Sequence, residues 1–117
     1  MKVSLRTVEE TSGLIRKTTE YVLYVKVELA PEEKAAIKKA GIEDLLLMEY
    51  SYKGLELNWK VKSVVYESDK GKESRFVGSN AMERNEIEGN VKSALKALKS
   101  QIEAQMSSSN RAESFEL

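Results

Sequence analysis

The chain has 117 residues, 41% apolar and 32% charged, which suits one globular domain rather than a disordered chain; no apolar run reaches the roughly 18 residues of a membrane span. Nineteen basic and nineteen acidic residues cancel, so no global field draws the protein to nucleic acid or to an anionic surface. Cys and His are absent, which excludes disulfides, thiolate nucleophiles, zinc sites of the Cys and His kind, and imidazole bases.

Residues 2–8, KVSLRTV, alternate weakly between apolar and polar. Residues 20–29, EYVLYVKVEL, alternate well, with Tyr21, Leu23, Val25, Val27 and Leu29 on one face. ETSG between them is a turn signal, so the two segments predict an N-terminal hairpin. The opening MKVSLRTVEETSG carries no apolar h-region after its lysine, and a cytoplasmic protein without a secretory signal is expected. APEEKAAIKKAG predicts a short helix: Pro31 suits its first position, Glu32 and Glu33 its positive end, and Lys38, Lys39 and Gly41 its far end. Ala30 stands where a Ser or Asp would have capped it.

DLLLMEYSYKGLELNWKVKSVV reads as two strands turning at Lys53-Gly54, which sets Tyr52 opposite Leu55, Tyr50 opposite Leu57, Met48 opposite Trp59 and Leu46 opposite Val61. A second Lys-Gly pair, Lys70-Gly71, predicts another hairpin with Asp69 opposite Lys72 and Val65 opposite Phe76, so both turns build the same apolar surface around Trp59. Residues 80–106 predict a long helix, begun by Asn80 with Glu83 three later and carrying the stripe Ile87, Val91, Ala94, Leu95, Leu98, Ile102 and Met106. Gly89-Asn90 either costs that helix about 1 kcal/mol or divides it in two with a bend. SSSNRAESFEL is a flexible polar tail by composition. The chain thus divides into one domain, 1–106, and a tail, 107–117. The expected class is α+β: an antiparallel sheet of about five strands, in the order β-β-α-β-β-β-α, packed against a long C-terminal helix.

Leu45, Leu47, Lys60, Lys62, Val64, Tyr66, Arg75 and Val77 then share the second face of the sheet. As a solvated face they need no function. Leu45, Leu47, Val64 and Val77 also form an apolar centre with a polar rim, the anatomy of a protein contact, while Lys60, Lys62 and Arg75 beside Tyr66 offer cations and one stacking ring to a single-stranded nucleic acid. Tyr50, Tyr52, Trp59 and Phe76 face the C-terminal helix, either as plain core or as the lining of a small-molecule pocket. Arg111 and Phe115 of the tail would close such a pocket, with Arg111 supplying charge for an anionic ligand.

The helix, three strands and helix of residues 31–106 resemble a double-stranded RNA-binding domain in element order. Such domains need lysines where their last helix begins; this one begins with Glu83, Glu86 and Glu88, which would repel phosphates and simply suit the helix dipole. Lys92, Lys96 and Lys99 lie at pairing distance from Glu88 and Glu103, as ordinary surface charges do. No glycine loop for phosphates and no serine with a base is present. The expectation is a binding or regulatory domain without catalysis, metal, cofactor or membrane attachment, acting through a protein partner or as a homodimer. Small-molecule binding is the second reading, and weak nucleic-acid binding through Lys60, Lys62 and Arg75 the third.

Overall fold

A computed structural model describes the backbone of residues 1–113 and the side chains of residues 1–107. In chain order these residues form β1 (Lys2–Ser12), β2 (Thr18–Glu28), α1 (Pro31–Ala40), β3 (Leu46–Tyr52), β4 (Leu55–Lys60), α2 (Val61–Lys70), β5 (Ser74–Gly78) and α3 (Ala81–Glu113). The architecture is α+β, with five antiparallel strands in two sheets packed with the long C-terminal helix. The expected strands and helices occur in the expected order, and α2 is added between β4 and β5.

β2 is central because its alternation is the strongest: Leu23, Val25 and Val27 are buried on one face, and the strand pairs with β1 along its length on one side and with β5 through Tyr21–Val25 on the other. The register sets Leu5, Val25 and Ser74 in one row and Thr7, Leu23 and Phe76 in the next but one. α1 starts at Pro31 without a side-chain cap at Ala30; instead the Ala30 amide donates to the Glu33 carboxylate at 2.9 Å. It ends at Gly41, whose φ of 67° a residue with a Cβ adopts only at a cost.

β3 and β4 form the expected hairpin, with Tyr52 opposite Leu55, Tyr50 opposite Leu57 and Met48 opposite Trp59. An irregularity between Leu46 and Met48 then sets Leu46 opposite Lys60 rather than Val61. The larger correction follows at once. Val61 begins a helix, so β4 does not run on to Val65, and Lys70-Gly71 is not a hairpin turn. Val61 and Val64, three apart, are buried, Val65 is half-buried, and Ser68, one turn further, accepts the Leu29 amide at 2.9 Å. Gly71, at φ 65°, is the C-cap of this helix, its amide bonded back to Glu67 and Ser68. β5 therefore pairs with β2, and Phe76 lies opposite Leu23 instead of Val65. α2 also breaks the element order on which the resemblance to an RNA-binding domain rested.

α3 is capped by Asn80, whose Oδ1 accepts the Glu83 amide at 2.8 Å. Its stripe Ile87, Val91, Ala94, Leu95, Leu98 and Ile102 is buried, while Met106 stays 37% exposed. The helix passes unbroken through Gly89, around which a Cβ would meet nothing within 4 Å. Gly89→Ala should therefore raise stability by about 1 kcal/mol, read as a higher urea midpoint at unchanged slope. At 33 residues α3 is about 50 Å long, which draws the molecule out to 75 × 22 × 19 Å.

Candidate functional site

The eight residues expected on one sheet face are dispersed by the fold. Val64 belongs to the core on α2, 1% exposed, and Leu47 packs partly against that core. Leu45 and Tyr66 are exposed, on the turn before β3 and on α2. Lys60 closes β4, and Lys62 on α2 pairs with Asp44 at 3.1 Å. Only Arg75 and Val77 share a face, that of the β1-β2-β5 sheet turned away from the core.

On that face the strand register sets Arg6, Tyr24 and Arg75 in one row and Val8, Val22 and Val77 in the next but one. Arg75 reaches across β2 to Glu10 at 2.9 Å and lies 3.7 Å from Glu20. The Tyr24 hydroxyl donates to the same Glu10 carboxylate at 2.5 Å. Arg6 stacks over the Tyr24 ring at 4.1 Å and pairs with Glu73 at 3.0 Å. The Tyr24 hydrogen bond, followed by that of Arg75, holds the Glu10 carboxyl below the usual carboxylate range, and the bond to Glu10 raises Arg75. Each guanidinium thus has its carboxylate. The face is a closed network of ion pairs rather than a row of cations open to phosphate.

Three of the four aromatic residues expected to line a pocket take up the space themselves. Phe76, 1% exposed, stands edge-on to Tyr50 at 5.0 Å and to Trp59 at 5.3 Å. Tyr52 lies outside this cluster, on a cleft of about 300 Å³ shared with Thr18, Glu20, Lys53 and Glu83. The side chain of Arg111, and Phe115 entirely, lie outside the described residues.

A different place combines an open surface with unsatisfied chemistry. β1 is an edge strand: along Lys2–Ser12 it bonds β2 on one side, and among the described residues nothing pairs with its other side. A run of unpaired amides and carbonyls this long is a template for another strand. Beside the start of β1, a groove of about 240 Å³ opens toward the middle of α3. Its apolar lining is Met1, Val3 and Leu95, and its rim is Lys92, Lys96 and Lys99.

The sequence accounts for this geometry. Val3 points to the same side as Leu5, but it is 40% exposed where Leu5 packs against the core. On α3 the spacings of four and three place the three lysines within an arc of about 60°, flanking the buried Leu95. Lys99 lies 3.9 Å from Glu103, an exposed contact of little energy, and no ion pair of Lys92 or Lys96 is found among the described residues. The start of β1 is held in place by the Met1 amine, which donates to Glu33 on α1 at 2.7 Å. Reading along the sequence treats these lysines as surface pairing. Their i, i+4, i+7 grouping around Leu95 is the available signal, but Val3, across the groove, is brought there only by the fold.

The β1–β2 turn also leaves Leu14 and Ile15 almost fully exposed, beside Arg16 and Lys17. Among the described residues no group of three or more acidic side chains is placed to hold a metal ion, and no helix is long and apolar enough to cross a membrane. Comparison with known protein families, curated proteins and solved structures finds no match to this chain.

Proposed function

We propose that the protein is a non-catalytic binding domain that works through protein–protein contact, taking an extended segment of its partner as an added strand on β1. The supporting observation is the unpaired outer edge of β1 lying directly beside the apolar, lysine-rimmed groove. In strand addition, main-chain hydrogen bonds supply affinity and pockets for alternate side chains supply selectivity. Here Val3 and Leu95 would receive an apolar side chain, and Lys92 and Lys96 would favour a segment carrying carboxylates.

A synthetic peptide in which Val and Glu alternate along one side of the strand, with Thr at the positions between them, tests this by amide chemical shifts. Changes confined to β1 and to residues 92–99, weakening as salt is raised, are expected. Unmoved β1 amides at saturating peptide would remove the proposal.

A further inference from the structure

We infer that the occupant of the β1 groove is the segment Glu113–Leu117 of a second copy of this chain; the inference rests on the strand-addition reading above. The segment reads ESFEL. Extended beyond the end of α3, residues 114–117 would place Phe115 and Leu117 on one side, two residues apart, with the Glu113 carboxylate just before them and Glu116 on the opposite side. That is the complement of an apolar floor at Val3 and Leu95 under the amines of Lys92, Lys96 and Lys99.

Reach decides between the chain's own segment and a partner's. Glu113 lies about 21 Å along the α3 axis beyond Lys99. The four residues after it span at most about 14 Å when fully extended. A chain therefore cannot fold its own Phe115 back to its own Leu95, and only a second molecule can deliver the segment.

Reciprocal exchange closes the arrangement as a two-fold dimer in which each copy gives what it receives. If the two α3 helices run antiparallel, a residue near position 96 faces one near 115, and the axis passes close to Met106. Met106 is the one member of the α3 stripe that its own sheet leaves substantially exposed. Covering it is a second consequence of the same geometry.

Sedimentation equilibrium on the full chain tests the inference. The wild type should be a reversible dimer. Phe115→Ser with Leu117→Ser should weaken dimerisation at least tenfold while leaving the melting curve of the monomer unchanged. Lys92→Glu with Lys96→Glu should weaken it comparably, and adding Glu113→Lys to that variant should restore it. An unchanged mass distribution in the Phe115→Ser, Leu117→Ser protein, or failure of the charge swap to rescue, overturns the inference. The same Phe115→Ser, Leu117→Ser protein, its groove vacant, separates this failure from that of the parent reading. If it binds the Glu–Val peptide but not a peptide ESFEL, strand addition stands and the self-recognition falls; if it binds neither, both fall.

Discussion

Val64→Lys should cost about 3–5 kcal/mol and leave much of the population unfolded, because it places an unpaired ammonium where a side chain is 1% exposed. Val64 sits on the face of α2 that packs toward β2 and β4, and its neighbours in the core are apolar. The buried amine would give up its proton more readily than in the unfolded chain. The unfolded state then binds more protons, so the variant should regain stability as the pH rises toward the ordinary lysine range. Tyr66→Lys, two residues away and exposed, is the control and should change stability by no more than about 0.5 kcal/mol. Urea denaturation at neutral and alkaline pH reads both. Equal effects from the two substitutions would contradict the helical placement of this segment.

Phe76→Ala should cost about 3–5 kcal/mol as well, through lost transfer energy and the cavity left behind. Phe76 joins the two sheets: it stands in β5 opposite Leu23 of β2, and its ring meets Tyr50 and Trp59 of the β3–β4 hairpin edge-on. Each such aromatic contact adds about 0.5–1.5 kcal/mol beyond burial. The hairpin has no strand partner in the other sheet, so side-chain packing of this kind is what fixes it there. The substitution should therefore loosen the hairpin before the rest, shifting Trp59 emission to the red at denaturant concentrations where far-ultraviolet circular dichroism is unchanged. Phe76→Leu, which keeps most of the volume, should retain a single transition with a smaller loss.

Much of the fold was legible in the sequence because local and global signals agree there. The alternation of β2, the Pro31 start and Gly41 end of α1, the Lys53-Gly54 turn with its register, and the α3 stripe each satisfy one periodicity well and the other poorly. α2 was not legible. VKSVV satisfies a period of two through Val61, Ser63 and Val65, and a helical period through Val61, Val64 and Val65, and its β-branched residues favour the first. The Lys-Gly pair does not arbitrate. At Lys53-Gly54 both residues take positive φ and the chain turns between strands; at Lys70-Gly71 only the glycine does, and it ends a helix. The dipeptide marks a place where positive φ is accepted, not the element that uses it.

The candidate groove was illegible for another reason. Val3 and Leu95 meet only after β1 has paired with β2 and α3 has crossed the sheet, so no window of sequence contains both. The residues singled out for a shared sheet face were scattered by the same error that hid α2. Once 61–70 coils into a helix, Val64 turns to the core, and Arg75 joins β2 and Glu10 instead of Lys60 and Lys62.

The length of α3 has a hydrodynamic consequence. A compact chain of this size has a radius of gyration near 13 Å, whereas this one has 17.4 Å, because the last helix draws out one axis of the body. Such a rod drags more solvent than a sphere of equal mass and tumbles faster about its long axis than across it. On a sizing column a single copy would elute early, at the position of a larger globular protein, and could pass for the pair. Shape and stoichiometry therefore have to be separated by a method at equilibrium, where friction drops out and mass alone sets the distribution.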